Sequence, residues 1–329
     1  MEIQSKEVQW RVHDIDIYGT ITRPVAGENL PAVILLAGSG PTDRDWCSPL
    51  LPGSNGSGRL IAERLAENGF VTLRYDKAGS GVHAKENIQK FAGRVNMQYF
   101  ADELHGAFEK LSGEDGVNMD LIFALTNSEG AIHAVNYQLG NFEKKFRGFI
   151  LTGPPGRSVG DVARSQLLSQ FGKLPNADTI MKAYDLAIWE FLSEKPVTVN
   201  DELPLLMKQL ISSLETPINL PFSREFWAYN LGDHISIVKD PIMVLIGKKD
   251  IQVSWNDDGN MLKKSLSENM NTSFVFPENA NHLLKHEELP LEKLSAQYVS
   301  LNYNSSDRIL DEEASNNILS WLNERIENS

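Results

Sequence analysis

The segment LIFALTNSEGAIHAV, residues 121–135, has a serine at the point where an apolar strand pattern changes to a helical one. Ser128 lies at this junction and is followed by Glu129 and Gly130. A serine on a sharp strand-to-helix turn has its hydroxyl raised above the sheet edge, and the next backbone N–H points to the same space. The segment therefore predicts a nucleophile, although a serine at a helix start is more often only an N-cap. Thr126 stands where the pattern G-x-S-x-G has its first glycine, so the pattern is incomplete.

A carboxylate and an imidazole follow two later apolar strand patterns. Asp250 comes after PIMVLIG in the segment GKKD, and His282 lies in the turn-rich segment PENANHLL. An aspartate that accepts a hydrogen bond from histidine Nδ1–H orients the imidazole and stabilises the imidazolium that forms when the histidine takes a serine proton. The chain order Ser128, Asp250, His282 is one of the known orders of such a triad. The three residues predict nucleophilic catalysis.

Other residues of the same types remain alternatives. His286 is the main alternative to His282, because it lies in the same loop. Asp257 and Asp258 are alternatives to Asp250, but we expect them at the start of a helix. Replacement of the aspartates by asparagine and of the histidines by glutamine would distinguish the assignments.

Non-triad interpretations of the same segments are weaker. His282, His286 and Glu287 have a spacing that a metal site could use, but the sequence shows no further cluster of ligands. The segment RYDKAGSG, residues 74–81, is rich in glycine but lacks the Lys-Ser/Thr ending of a phosphate-binding loop, so we interpret it as a tight strand-to-helix connection. Cys47, the only cysteine, is interpreted as a small buried hydrophobe.

Alternating strand and helix patterns are expected to position the candidate residues. Apolar runs separated by amphipathic segments indicate strands; the runs are AVILLA, FVTLRYD, LIFALT, RGFILTG, PIMVLIG and TSFVFP. An antiparallel strand pair is predicted before them, within Val8 to Arg23. This order is typical of an α/β fold with a mostly parallel central sheet and helices on both faces. Ligands bind such sheets beyond the carboxyl ends of the strands, where Ser128, Asp250 and His282 are expected.

The alternation stops between residues 155 and 232. This stretch contains several helical patterns broken by prolines and no clear strand. We therefore predict a core domain of residues 1–154 and 233–329, interrupted by an all-helical cap of residues 155–232. An insertion at this sheet edge is expected to roof the site and to shape an apolar pocket over the serine.

These segments resemble the α/β-hydrolase superfamily, and within it the bacterial serine carboxylesterases whose oxyanion loop reads GSGPTDRD. The resemblance extends over nearly the whole chain except the helical insertion, and is carried by LLAGSGPTDRDW, RYDKAGSG, NSEG, GKKD and ANHLL. It implies that Ser128 is the nucleophile of the elbow, His282 the general base and then acid, and Asp250 the orienting carboxylate. A dehalogenase or epoxide hydrolase is disfavoured, because those relatives have an aspartate where this chain has Ser128.

The resemblance also implies an oxyanion hole made of backbone groups. One donor would be the N–H of Glu129, and the other the N–H of Ser39. Family members often have histidine and glycine where this chain has Ala37 and Gly38. Because the donors are backbone groups, this difference leaves the chemistry possible. The side chains of PTDRD, residues 41–45, are expected to hold the loop in shape.

Composition limits the possible partners. The chain has 329 residues and a formal net charge of −13, which argues against binding to nucleic acid or to anionic lipid surfaces. We find no basic leader followed by an apolar core, and no apolar run near the roughly 18 residues of a membrane span. With one cysteine the chain forms no internal disulfide, which fits a cytoplasmic location.

The predicted function is hydrolysis of a small-molecule acyl ester through an acyl-enzyme on Ser128, with no cofactor and no metal. A thioesterase, an amidase or peptidase, or a lactonase would use the same residues. A receptor-like binding protein of the same fold is the alternative from a different class. Turnover of a chromogenic ester, together with labelling by a fluorophosphonate, separates an enzyme from a receptor. The sequence does not specify the acyl chain, the leaving group or the oligomeric state.

Overall fold

The computed structural model describes residues 1–327. Within that range the strands form one sheet in the order β1-β2-β4-β3-β5-β6-β7-β8. The pairs β1–β2 and β2–β4 are antiparallel, and the pairs from β4 through β8 are parallel. The strands are β1 (Ile3–Val12), β2 (Ile15–Pro24), β3 (Leu30–Leu36), β4 (Val71–Tyr75), β5 (Val117–Asn127), β6 (Phe149–Thr152), β7 (Ile242–Leu245) and β8 (Thr272–Val275). The mostly parallel sheet predicted from the apolar runs is therefore confirmed.

Helices cover both faces of the sheet, which explains why its central strands are continuously apolar. The helices outside residues 155–232 are α1 (Ser57–Glu67), α2 (Ala84–Phe91), α3 (Met97–Ser112), α4 (Glu129–Leu139), α10 (Asp257–Ser265), α11 (Ala296–Asn302) and α12 (Glu312–Glu327). Ile61 of α1 and Trp321 of α12 lie in the core on one face. Leu104 of α3, Ile132 of α4 and Leu262 of α10 lie in the core on the other.

The stretch from 155 to 232 is helical. Its helices are α5 (Val159–Phe171), α6 (Ala177–Leu192), α7 (Leu205–Leu214), α8 (Phe222–Ala228) and α9 (Leu231–Ile235). Helices α5, α6 and α7 share a small core of their own around Tyr184 and Met207. Helix α9, in contrast, places Leu231 and Ile235 in the core of the sheet domain and crosses the predicted boundary at residue 232. The division into core and cap stays a prediction.

A second excursion from the sheet separates β8 from α12. It contains a short 3-10 helix, Leu291–Lys293, followed by α11. Tyr303, directly after α11, packs with Leu283 and Leu51 in a satellite cluster at the carboxyl edge of the sheet. The sequence patterns did not predict these elements. Within residues 1–327 the structure has no helix with the length and apolarity needed to cross a bilayer.

Candidate active site

Ser128 occupies a sharp turn between β5 and α4. Its backbone angles are φ 52° and ψ −114°, a region that side chains other than glycine rarely adopt and that is strained. The turn is held by a hydrogen bond of 2.8 Å from Ser128 N–H to the carbonyl of Thr152 on β6. Gly130 is needed because a Cβ there would lie 2.8 Å from the carbonyl oxygen of Leu36 on β3. The strand-to-helix corner predicted from the sequence is present, with the serine at its apex.

Thr126 fits the corner in spite of the incomplete motif. It is fully buried near the end of β5, paired with Leu36 on one side and with Leu151 on the other. Its hydroxyl lies 3.5 Å from the carbonyl of Ile150 on β6. A β-branched residue suits this extended strand position. The close approach of α4 to β3 falls on Gly130 instead, so a glycine at 126 is not required.

Asp250 and His282 form a buried hydrogen-bonded pair. His282 Nδ1 lies 2.7 Å from Asp250 Oδ2. The other carboxylate oxygen accepts hydrogen bonds from the backbone N–H groups of Gln252, at 2.7 Å, and Val253, at 3.0 Å. Gly153 makes room for the pair, because a Cβ at that position would lie 2.9 Å from His282 Nδ1. The carboxylate is fixed at both oxygens, and it in turn orients the imidazole.

Ser128 and His282 line the same cavity, whose volume is about 260 Å³. Its walls come from the loop after β3, including Leu50 and Leu51, and from the β8–α12 excursion, including Tyr303. Within the described residues 1–327, the stretch 155–232 contributes no residue to the lining of this cavity. The expectation that the helical insertion shapes the pocket over the serine is therefore wrong for this cavity. The insertion leaves after β6. Phe222 of α8 packs against Phe100 of α3, and Gln166 of α5 donates to the backbone carbonyl of Gln252, a residue of the cavity wall, at 2.9 Å.

The alternative residues lie elsewhere. His286 Nδ1 is 3.0 Å from Asp311 Oδ2, and His286 does not line the cavity. Asp258 is buried in an ion pair with Arg157, at 3.0 Å, at the start of α10. Asp257 is exposed at the same helix start. The structure brings Ser128, Asp250 and His282 to one rim of the sheet, whereas His286 and Asp258 have other partners and none of the three alternatives lines the cavity.

The two backbone N–H groups predicted as oxyanion donors, those of Ser39 and Glu129, have no hydrogen-bond acceptor within residues 1–327. Glu129 is the first residue of α4, where the N–H groups have no partner inside the helix. Ser39 lines the cavity beside Ser128. Both groups are available to a bound anion.

The loop that carries Ser39 is held in place by its own charged side chains. Arg44 donates to Asp76 through Nε at 3.0 Å and through its terminal nitrogen at 2.7 Å, and its backbone N–H donates to the other Asp76 oxygen at 2.8 Å. Asp43 accepts hydrogen bonds from the N–H groups of Asp45 and Cys47, each at 2.9 Å. The segment PTDRD thus keeps the loop folded beside β4, as its sequence led us to expect.

Asn127 connects the elbow to the histidine loop. Its amide nitrogen donates to the backbone carbonyl of His282 at 2.9 Å, and both residues are buried. A Cβ at Gly38 would lie 2.8 Å from the amide oxygen of Asn127, so the loop of Gly38 and Ser39 also packs on this side chain. Asn127 therefore sets the spacing between the three loops of the site. Sequence reasoning passed over it as an ordinary residue of the elbow.

A buried group of charges lies beneath the elbow, and sequence reasoning missed it as well. Lys77 donates to the carbonyl of Gly38 and to the carboxylate of Glu129, each at 2.7 Å. His133 Nε2 lies 3.0 Å from the same carboxylate oxygen. Burial alone would raise the pKa of Glu129, but the charge of Lys77 and the contact with His133 outweigh it and hold that pKa at about 2. The only signal in the sequence was a lysine inside RYDKAGSG, a segment interpreted as a plain connection.

Neither the Cys47 thiol nor a metal-binding cluster adds a reactive group to the described part of the chain. Burial, helped by the carboxylates of Asp43 and Asp45, raises the pKa of Cys47 to about 12, so the group is a neutral thiol near pH 7. In the part of the chain that the structure describes, no three His, Cys, Asp or Glu side chains are grouped to hold a metal ion. Glu287, one of the residues in the metal hypothesis, instead pairs with Arg308.

Comparison with known sequences identifies an esterase as a relative. Esterase EstD of Thermotoga maritima is 26% identical over 304 residues, which cover 90% of this chain and 64% of EstD. The chain thus spans less than two thirds of the length of that relative. No protein-family model matches the chain.

Comparison with solved structures concerns the fold. The α/β hydrolase GrgF from Penicillium sp. sh18 superposes with a TM-score of 0.56 at 16% identity, covering 98% of this chain and 99% of GrgF. The Pyrococcus furiosus esterase PF2001 superposes with a TM-score of 0.55 at 15% identity, covering 98% of this chain and 91% of that one. The likeness covers almost the whole chain in both cases. The predicted α/β-hydrolase fold is confirmed.

Proposed function

We propose that this α/β hydrolase cleaves carboxylic esters through an acyl-enzyme on Ser128. The observation that carries the proposal is the hydrogen bond of 2.7 Å between Asp250 and His282, because His282 lines the same cavity as Ser128. A buried carboxylate on Nδ1 leaves Nε2 as the basic nitrogen of the imidazole. The strained backbone of Ser128 supports the same role, because such strain is concentrated at functional sites.

The residues divide the reaction between them. His282 Nε2 takes the proton of the Ser128 hydroxyl while the serine oxygen bonds to the carbonyl carbon of the ester. The N–H groups of Ser39 and Glu129 then hold the oxyanion; one such donor contributes about 2.7–4 kcal/mol to transition-state stabilisation. The C–O bond to the alcohol breaks as His282 returns the proton to the leaving oxygen. Water, deprotonated by the same imidazole, releases the acid and restores Ser128.

The relative and the cavity support an ester of modest size as the substrate. EstD is named an esterase, and its alignment covers 90% of this chain. The cavity of about 260 Å³ combines apolar side chains, such as Leu51 and Leu283, with the polar side chains of Thr42 and Gln252. A pocket of this kind suits a small acyl ester rather than a polymer. The cytoplasm remains the proposed location, and the helical stretch 155–232 remains a proposed cap.

The proposal is tested with p-nitrophenyl acetate and butyrate, together with labelling by a fluorophosphonate. Ser128→Ala should abolish labelling and reduce kcat by about 10⁶-fold, because the covalent route is lost. Ser54→Ala, at an exposed serine in the nearby loop, is the matched control and should retain both. Labelling of Ser128 without turnover of any ester would instead favour the receptor-like alternative. A panel of thioesters, amides and lactones with the same acyl group identifies the preferred leaving group.

A further inference from the structure

A buried lysine lies directly behind the backbone that would bind the oxyanion. Lys77 is 7% exposed and comes shortly after β4. It does not line the cavity that contains Ser128. Its hydrogen bonds go to the carbonyl oxygen of Gly38 and to one oxygen of Glu129. A buried ammonium is costly and persists only where it is paired and hydrogen-bonded. The identity of its two partners is informative.

The first partner controls the direction of a candidate donor. The carbonyl of Gly38 and the N–H of Ser39 belong to one peptide unit, which is planar and trans, so the two groups point in opposite directions. Lys77 binds the carbonyl from below at 2.7 Å. The N–H of Ser39 is thereby directed to the other side, toward the cavity that Ser39 lines with Ser128. A positive charge on the carbonyl also polarises the peptide and makes its N–H a stronger donor.

The second partner carries the other candidate donor. The carboxylate of Glu129 receives Lys77 at 2.7 Å and His133 Nε2 at 3.0 Å, which anchors the first residue of α4 from beneath. The backbone N–H of the same residue is left without a partner within residues 1–327. One ammonium group therefore ties together two loops that are distant in sequence, and each of them presents a free N–H beside Ser128.

We propose that Lys77 is a positioning residue of the oxyanion hole: its ammonium group sets the orientation of the Gly38–Ser39 peptide and of Glu129, so that their N–H groups converge on the substrate oxygen. This inference rests on the proposed ester hydrolysis. It assigns Lys77 no contact with the substrate and no proton transfer. Ser39 and Glu129 would bind the oxyanion through their N–H groups, and Lys77 would orient those groups.

The test compares Lys77→Met with Lys145→Met. Lys145 is a matched control because it also donates to backbone carbonyls, those of Gln138 at 2.7 Å and of Gly140, the C-cap of α4, at 2.6 Å, but at the far end of that helix. Each variant is assayed for kcat and KM with p-nitrophenyl butyrate. Each is also assayed for inhibition by a trifluoromethyl ketone, whose carbonyl becomes a tetrahedral oxyanion when a serine adds to it.

The expected result is a split between ground state and transition state. In Lys77→Met, kcat should fall by about 10²-fold, as a misplaced donor group can cause. KM should change by no more than about threefold, while the inhibition constant of the ketone should rise in parallel with the loss in kcat/KM. Lys145→Met should lower stability to denaturant but keep all three kinetic values. A lysine with a merely structural role would not produce this split.

Three outcomes decide the inference. Retention of kcat and of ketone affinity in Lys77→Met overturns it, and so does an equal kinetic loss in Lys145→Met. If Lys77→Met does not fold, Lys77→Gln is measured in its place. Its shorter, neutral side chain cannot bridge the Gly38 carbonyl and the Glu129 carboxylate as the ammonium group does, so the ketone affinity should still fall, and wild-type ketone affinity in that variant overturns the inference too. Full activity in Ser128→Ala would refute the proposed function itself, so the two failures are distinguishable.

Discussion

The carboxylate of Asp250 has no freedom left once its contacts are made. One oxygen faces His282, and the other accepts two backbone N–H groups from the turn that follows, Gln252 and Val253. A carboxylate held in this way acts as a fixed acceptor for Nδ1–H, and the tautomer of the histidine follows from it. At the scale of single residues, the orientation of His282 depends on how firmly the Asp250 carboxylate is held by its hydrogen bonds.

Replacement of Asp250 by asparagine should therefore be more damaging than its size suggests. We expect Asp250→Asn to lower kcat by up to about 10⁴-fold, because an amide that rotates its NH2 toward Nδ1 favours the wrong tautomer. KM should change little, and steady-state kinetics with a chromogenic ester provides both values.

His286→Gln should remain active, whereas His282→Gln should be inactive. A large loss in His286→Gln with activity kept in His282→Gln would move the base to the other histidine.

The elbow shows how the packing of elements determines which residues a motif needs. Helix α4 approaches β3 so closely that a Cβ at Gly130 would lie 2.8 Å from the Leu36 carbonyl and 3.0 Å from the Leu36 Cβ. Backbone atoms cannot move aside as a flexible side chain would. At Thr126, in contrast, the side chain is accommodated within the sheet. The packing therefore requires glycine at position 130, two residues after Ser128, whereas position 126, two residues before it, accommodates threonine.

This difference predicts opposite kinetic outcomes for two substitutions. Gly130→Ala should reduce the free energy of unfolding by about 1–3 kcal/mol through overpacking, and should lower kcat because α4 carries Glu129. Thr126→Gly should cost about 1 kcal/mol through chain entropy but leave kcat largely intact. Urea denaturation and ester kinetics on both variants provide the comparison. Unchanged kcat in Gly130→Ala, with a large loss in Thr126→Gly, would contradict this account of the elbow.

At the scale of the whole molecule, substrate selection is assigned to an unexpected part of the chain. The cavity is walled by the loop after β3 and by the β8–α12 excursion, which meet where Leu51 packs near Tyr303. The helical stretch 155–232 has its own small core and supplies none of the residues that line the cavity within the described range 1–327. Under the proposed ester hydrolysis, loop residues that line the cavity at the carboxyl edge, rather than the inserted helices, would limit the length of the acyl group.

Shortening Leu51 should therefore change chain-length preference. In Leu51→Ala we expect kcat/KM for an ester two carbons longer than the preferred one to rise by about 10-fold, since each methylene accommodated in an apolar pocket is worth that much or more. Leu168→Ala is the control, because Leu168 is a half-exposed residue of α5 outside the cavity wall. A series of p-nitrophenyl esters measures the effect. A shift in preference in Leu168→Ala alone would return the pocket to the helical stretch.

The buried charges also affect the stability of the whole molecule. Burial raises the pKa of Glu103 to about 8, from an ordinary value of 4.5, while a hydrogen bond from the Ala78 N–H and the charge of Lys77 oppose it. Between these pH values the folded protein keeps a proton that the unfolded chain has lost. Stability should therefore fall as pH rises through this window, by at most about 1.4 kcal/mol per pH unit.

Glu103→Gln should remove this contribution. The difference in unfolding free energy between wild type and variant should change steadily from about pH 5 to pH 8, to the relative disadvantage of the wild type. Glu129, whose pKa is held at about 2, contributes a constant amount above pH 4.5. The lowered pKa of His133 acts in the opposite direction below pH 6.5, but it is common to both proteins. A pH-independent difference would contradict the raised pKa of Glu103.

The sequence by itself predicted the mostly parallel sheet and most of its helices, and it named the residues of the candidate triad, which stays a prediction. Apolar runs such as AVILLA encode buried strands. Ser128 and Asp250 follow such runs, and His282 follows the partly buried edge strand β8. The carboxyl ends of parallel strands meet at one edge of a sheet, so the position of each residue after its strand already places it near the others. These features could be predicted because they depend on local periodicity and chain order.

Only the tertiary structure decided which groups surround that edge. Lys77, Asn127 and Tyr303 contact residues far away in the chain, and nothing in their local sequence marks them. The direction in which the inserted helices pack was likewise not encoded in their helical periodicity, and the expected roof proved wrong for the cavity. The physical reason is the same in both cases: pockets and buried ion pairs arise from long-range packing, whereas sequence patterns report on neighbours along the chain.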